Sequence, residues 1–277
     1  MKKGISLVLA LTMLFALCAC GKSSGKAAYS MLSEAVSTEQ YAVGFALGND
    51  ELKDAVQAAL YVLLADGTVD KVAEKYADYS LASTLCLNGA DATTFDMSAA
   101  SAELQSRTTF NVGFDAEYPP FGYMDADGSY TGFDLELAEA VCALYGWELI
   151  KTPIDWDTKD VTLSSGQIDC IWNGFTVTGR ESEYCWTVPY VDNSIVVLTN
   201  NAKITSLADL AGKNVVTQAG SSALAALEGD RAELCASFKA LTQVADFNTA
   251  MMNLDSGIVD AVVIDIGVAQ YYLSNQG

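Results

Sequence analysis

"LSSGQIDCIWNG" (residues 163–174) and "LDSGIVDAVVID" (residues 254–265) follow one local plan. Each closes a helix, stops it at a glycine (Gly166, Gly257), and runs through Ile/Val-Asp into an apolar strand. Helix-stop chemistry can produce such an echo by chance, so alone it only suggests duplication. It fits two similar lobes, each exposing side chains at the carboxyl end of a strand. Open α/β sheets bind ligands at those ends, and two facing lobes would enclose a small molecule between them.

Outward from these two stretches, the chain after Arg107 alternates strands and helices. "FNVGF" (110–114) and "WELIKTPI" (147–154) predict strands, and "FGYMDADGSYTGF" (121–133) a hairpin turning at Asp127-Gly128. "DLELAEAVCALYG" (134–146) predicts a helix capped by Asp134 and ended by Gly146. Further on, "NVVTQ", "ALTQV" and "VDAVVID" predict strands, and "SALAALEG", "NTAMMNLDSG" and "IGVAQYYLS" helices. This is α/β organisation with largely parallel strands.

The front of the chain has a different character. "NDELKDAVQAALYVLLADG" (49–67) sets Leu52, Ala55, Val56, Ala59, Leu60, Leu63 and Leu64 on one helical stripe, with Asn49 or Asp50 as cap. Gly67 then stops that helix and Thr68 caps a short second one, whose apolar side is Val72, Ala73 and Tyr76. Such a pair suits the end of a domain, yet more than half the chain follows. Residues 80–106, rich in Ala, Ser and Thr without a period, read as a linker.

Composition removes whole classes of function. The net charge of −20 argues against nucleic acid, which needs a basic footprint. With no histidine there can be no Ser-His-Asp or Cys-His catalysis and no HExxH zinc site. No CxxC pair or calcium loop occurs, so no metal and no cofactor is expected. Cys86, Cys142, Cys170, Cys185 and Cys235 are odd in number, and no disulfide framework is expected. Lys2 and Lys3 before "ISLVLALTMLFALCAC" (5–20) read as a secretory signal. Leu17-Cys18-Ala19-Cys20 resembles a bacterial lipobox, which implies lipidation at Cys20 with the residues that follow as a tether.

Four stretches in order, "FNVGFDAEYPPFGYMDADGSYTGFDLELAEAV", "IDCIWNGFTVTGRESEYCWTVPYVDN", "VVTQAGSSA" and "LDSGIVDAVVID", resemble the bacterial solute-binding proteins that deliver amino acids to ABC transporters. The resemblance covers Thr108 to Gly277. It implies a two-lobed periplasmic-binding-protein-like α/β fold with two crossing hinge strands that closes over an amino acid. Burying a zwitterion requires a partner for each charge. By the resemblance, Arg180 takes the carboxylate with Ser221 and Ser222 of the "QAGSSA" loop, and Asp265 takes the ammonium. The family pattern has one more residue before this arginine than "TVTGR" supplies. Tyr118 and Trp156 match the aromatic positions that flank the ligand side chain, and Asp115 the one that touches it when polar or cationic. Gly174 and Thr176 fall beside the α-carbon groups, and Gln218 at the rim. Each has a plainer reading: Arg180 as a surface arginine pairing with Glu181 or Glu183, the loop and Asp265 as helix caps, the aromatics as core.

In that family the strand "VDAVVID" and its helix precede a last strand of lobe two, a return crossing, and two closing helices on lobe one. Here the chain stops at Gly277, and residues 29–79 resemble the missing tail. Joining Gly277 to Lys26 would restore the usual order, so circular permutation is expected. The organisation is then signal peptide 1–20, tether 21–27, last lobe-two strand and start of the crossing 28–40, closing helices of lobe one 41–79, linker 80–106, main lobe one 107–194 and main lobe two 195–277. The rivals are a swapped dimer and a damaged piece of a tandem gene; closure within one monomer is favoured. The resemblance implies a non-enzymatic, lipid-anchored extracytoplasmic receptor for a polar or basic amino acid, partnered by an ABC permease. The alternatives are a cyclohexadienyl or arogenate dehydratase on the same fold and a ligand-sensing co-receptor.

Overall fold

The computed structural model describes residues 28–276; the Cys20 lipidation site, the signal and the tether lie outside them. Strands β1 (Ser30–Met31), β2 (Ser37–Tyr41) and β3 (Gly44–Phe45) are followed by helices α1 (Asp50–Ala65), α2 (Thr68–Glu74) and α3 (Ala102–Gln105). Next come β4 (Thr109–Phe114), β5 (Glu117–Tyr118), β6 (Gly122–Met124), β7 (Tyr130–Thr131), α4 (Phe133–Tyr145) and β8 (Glu148–Pro153). Then follow α5 (Lys159–Ser164), β9 (Cys170–Ile171), β10 (Cys185–Trp186), β11 (Val191–Thr199) and β12 (Asn214–Gln218). The chain ends with α6 (Ser222–Glu228), α7 (Ala232–Ser237), β13 (Ala240–Val244), α8 (Phe247–Asp255), β14 (Ala261–Asp265) and α9 (Ile266–Ser274).

Two sheets form the lobes. The first runs β10-β3-β9-β4-β8, with β4 parallel to β8 and β9. The second runs β1-β11-β14-β12-β13, with β12 parallel to both β14 and β13. In the second sheet Ile195 and Val197 of β11 enter one core with Val36 and Val263, while Val196 and Leu198 enter another with Phe247 and Val268. Alternate side chains point to opposite faces of a strand, so a strand apolar at every position needs cover on both.

The front segment is structural from its first strand. β3 lies inside the first sheet, antiparallel to both β9 and β10, so without it both would lose a partner. α1 and α2 cover that sheet beside α4, with Leu52, Val56, Leu60, Val69 and Ala73 buried. Between the lobes, β2 leads into β3 and β10 leads into β11, so the chain crosses twice. The crossings pair antiparallel, from Ser37 opposite Ile195 to Tyr41 opposite Val191. The ends of the described chain also meet: Tyr29 donates its backbone N–H to Gln276 Oε1 at 2.6 Å and its hydroxyl to Asp255 at 2.6 Å.

Local expectations fail where a side chain has a tertiary partner. Helix α4 starts at Phe133 behind Gly132, and Asp134 is not its cap. The fully buried Asp134 carboxylate instead accepts from Gly174 N (2.6 Å) and Tyr190 Oη (2.8 Å), tying the end of β9 to a crossing. Thr68 does not cap α2; the left-handed Gly67 occupies that position, and Asp66 accepts from the Thr68 N–H. Residues 80–106 are more than a tether. Leu81, Leu87 and Leu104 are buried, Leu85 bridges Val191, and Ser101 donates its N–H to Glu51 at 2.7 Å. Spaced leucines in a small-residue stretch carry no period, which hid this packing from the sequence.

Gly132 gives a test of the lobe-one frame. Its φ is +133°, and a Cβ there would lie 2.2 Å from the Phe121 carbonyl oxygen, a backbone atom with no room to retreat. Gly132→Ala is expected to cost roughly 3 kcal/mol or more in urea unfolding. Gly128→Ala in the same hairpin has φ +80° and open space, and should cost about 1–2 kcal/mol. Equal losses would contradict this account.

Candidate functional site

The site is assembled from strand ends facing one another across the seam. β4 delivers Asp115, the segment after β9 delivers Asn173 to Thr176, β12 delivers Gln218 to Ser222, and β14 ends on Asp265. The crossings add Glu39 and Tyr41 from β2 and Asn193 from β11. The lobes touch here. Gln218 donates to Asp115 at 2.5 Å, Lys159 Nζ donates to the Gly220 carbonyl at 3.0 Å, and the Tyr118 and Phe247 rings lie 5.9 Å apart.

At the back of the cleft, hydroxyls and one amide converge on two carboxylates. Asp265 Oδ1 accepts from Tyr41 Oη (2.6 Å) and Asn193 Nδ2 (2.8 Å). The Tyr118 hydroxyl lies 3.0 Å from that of Tyr41. Glu39 Oε1 accepts from Thr176 Oγ1 (2.7 Å), Asn193 Nδ2 (2.8 Å) and Ser222 Oγ (3.1 Å). Both carboxylates are buried, and among the described residues neither has a lysine or arginine in ion-pair range. Burial, then the charge of Asp265, pushes the Glu39 pKa up to about 7; burial likewise raises Asp265.

At the mouth is a cavity of about 290 Å³ lined by Asp115, Glu117, Asp155, Trp156 and Asp246. Four carboxylates and an indole line it, and among the described residues no lysine or arginine does. Burial pushes Asp115 up to about 6, and Glu117 is raised by burial and by Asp246. Trp156 forms one wall, edge-on to Phe175. Like charges beside an aromatic face make a place for a cation.

Most of the sequence-predicted residues meet here, though several in unexpected roles. Asp115 and Gln218 bond each other. Gln218 is 1 % exposed, an inner contact and not the rim contact expected, because its amide also donates to Ala245 O at 2.9 Å. Gly174, at φ +53°, packs against the Tyr118 ring, where a Cβ would lie 2.7 Å from it. Thr176 and Ser222 point at Glu39. The Ser221 hydroxyl caps α6, accepting from Leu224 N at 3.1 Å, so the plainer reading holds for that side chain. For Asp265 it does not: the residue sits at the N-cap of α9 but makes no side-chain cap bond. Arg180 is half-buried with its guanidinium 5.6 Å from the Phe175 ring centroid, and among the described residues it makes no ion pair with Asp265. The tight turn through Gly179, with Arg180 N bonded to Val177 O, places it there. Among the described residues it pairs with neither Glu181 nor Glu183.

Glu39, Tyr41, Asn193 and Lys159 escaped the sequence reading. In β2, Ser37, Glu39 and Tyr41 share a face, and a carboxylate on the face of a buried tyrosine was the available signal. Lys159 is 5 % exposed and lies 5.3 Å from the Trp156 ring centroid, with its pKa lowered by burial.

Residues 110–244 match the family model for bacterial extracellular solute-binding proteins, family 3. The chain is 28% identical over 182 residues to the putative ABC transporter arginine-binding protein 2 of Escherichia coli K12, covering 65% of this chain and 71% of that protein. It is similar to the structure of an ABC uptake transporter substrate-binding protein from Streptococcus pneumoniae with bound histidine. There the TM-score is 0.59 and the identity 38%, over 61% of this chain and 70% of that one. A third likeness is to an ancestral amino acid-binding protein, a precursor of cyclohexadienyl dehydratase, with TM-score 0.57 and 31% identity over 62% of this chain and 76% of that one. Among the described residues no helix is long and apolar enough to cross a membrane.

The raised carboxyls have a consequence for stability. Glu39 and Asp134, both at about 7, and Asp115, at about 6, hold protons in the folded state at pH values where the unfolded chain, near 4, has lost them. Their contribution is full below about pH 4 and is lost as pH rises through 6 to 7. The midpoint temperature of the ligand-free protein should therefore fall by roughly several degrees between pH 5 and pH 8 in scanning calorimetry. A flat or rising midpoint over that interval would contradict the assignment.

Proposed function

The chain belongs to the bacterial extracellular solute-binding proteins, family 3, and on that premise we propose that it captures a basic amino acid in the interlobe cleft for an ABC permease. The observation that carries the choice of ligand is the mouth cavity with its four carboxylates, one indole and no base. A guanidinium, ammonium or imidazolium side chain lies there between Asp115 and Trp156, neutralising acids that otherwise repel one another. The α-ammonium meets Asp265. The carboxylate faces the backbone N–H groups of Ser221 and Ser222, with Arg180 and Lys159 as the cations of lobe one nearest that loop. The arginine and histidine named for two of the relatives are ligands of this class.

Closure follows from contacts that only the closed form can make from both lobes. The crossing strands β2 and β11 are the hinge. Attachment to the outer face of the cytoplasmic membrane is through lipid on Cys20. The receptor is a monomer and not an enzyme: binding at this site requires no covalent step, and the ancestral likeness is itself to an amino acid-binding protein. We read the chain as circularly permuted, because segment 29–79 supplies the return crossing and the closing helices, and Tyr29 lies against Gln276.

A thermal-shift screen against the common amino acids, followed by calorimetric titration, tests the ligand class. Arginine, lysine or histidine should raise the midpoint most, since stabilisation grows with the logarithm of ligand excess over Kd. Asp265→Asn should weaken binding roughly a hundredfold, and Asp115→Asn roughly tenfold for basic ligands only. Preference for an acidic or aliphatic amino acid would refute the reading. A relinked gene joining Gly277 to Lys26, reopened within residues 88–94, should fold and bind like the parent; loss of folding there would count against permutation.

A further inference from the structure

Glu39 is a second carboxylate in the cleft with no counter-charge. It is 8 % exposed, on the same strand face as the wholly buried Tyr41. Three donors from three segments converge on its Oε1: Thr176 after β9, Asn193 on β11, and Ser222 at the start of α6. Two of these, Thr176 and Ser222, are residues that the family resemblance places beside the ligand's α-carbon groups. The third, Asn193, splits its amide between the two acids, with Nδ2 2.8 Å from both Glu39 Oε1 and Asp265 Oδ1. One nitrogen thus already touches both carboxylates, which is the geometry a bridging ammonium needs. The titratable groups facing Glu39 are Asp265 at the end of β14, Tyr41 on its own strand and Tyr118 from lobe one. None brings a positive charge.

We propose that Glu39 is a specificity-determining residue that shares the ligand's α-ammonium with Asp265, so that the site selects ligands carrying a cation at the α-carbon end. The inference rests on the reading of the cleft as an amino-acid site and adds to it a second acceptor. Two buried carboxylates this close are not both ionised without a cation, since their repulsion and desolvation add. In the free protein Glu39 holds a proton below about pH 7. The ammonium takes its place and the proton leaves to solvent, so binding is accompanied by proton release. Affinity rises with pH through the region around 7, where Glu39 titrates, and levels off above it. Thr176 and Ser222 then hold Glu39 in position, one from each lobe, which couples ammonium capture to closure.

The experiment is calorimetric titration of the protein with L-arginine, L-lysine and L-histidine at pH 6 and pH 8, in two buffers of different ionisation enthalpy. The wild type should release a proton on binding at pH 6, release little at pH 8, and bind more tightly at pH 8. Glu39→Gln should weaken binding roughly tenfold or more and abolish the release, while Glu39→Asp should retain it. The desamino analogue of the ligand should be indifferent to Glu39→Gln. Circular dichroism at both pH values reports folding of each variant, and Glu39→Asp carries the test if Glu39→Gln unfolds. Unchanged affinity and proton release in Glu39→Gln would overturn the proposal and leave the receptor reading intact. Tighter binding by Glu39→Gln would also overturn it, showing that Glu39 competes with the ligand's carboxylate. A wild type that binds no amino acid would overturn the receptor reading, and this inference with it.

Discussion

The antiparallel ladder between Ser37–Tyr41 and Val191–Ile195 is the constraint on which the molecule depends. Both chain crossings between the lobes pass through it, so it fixes how the two sheets face each other. It also sets side chains by parity: alternate residues of each strand face the cleft, which is how Glu39, Tyr41 and Asn193 come to share one wall. The same ladder commits the front of the chain to both lobes. β2 pairs in the second sheet, and three residues later β3 is an inner strand of the first.

Around that wall the electrostatics are one-sided. Glu39, Asp265, Asp115 and Asp134 are buried carboxylates held by hydroxyls, amides and backbone N–H groups. Such donors satisfy oxygen lone pairs without neutralising charge, so burial dominates and the pKa values rise. The cations near the cleft, Arg180 and Lys159, are turned elsewhere, one onto Phe175 and the other onto backbone carbonyls and Trp156. Among the described residues, the buried acids of the cleft are left without counter-ions.

The listing of roles by resemblance and the observed contacts diverge in an instructive way. Ser221 caps α6 while its neighbour Ser222 reaches Glu39, although the two look interchangeable in "QAGSSA". Arg180 carries the right chemistry for a carboxylate, yet the turn through Gly179 sets its guanidinium 5.6 Å from the Phe175 ring centroid. In each case residue type alone was an incomplete guide, because direction depends on the backbone path.

Read alone, the sequence determined the α/β class, the place of most strands and helices after Arg107 though not of β5, β10 or α7, and the acidic character without histidine. It also picked out Asp115, Tyr118, Trp156, Thr176, Ser222 and Asp265, which the fold brings to the seam between the lobes. These features are local or compositional: periodicity, glycine stops and turn chemistry act within a few residues. Only the tertiary structure decided that Glu39 and Asn193 join Asp265, that Asp134 ties β9 to a crossing, and that residues 80–106 pack on lobe one. Those outcomes depend on partners far apart in the chain, 154 residues in the Glu39–Asn193 contact, and no local window of sequence holds both members of such a pair.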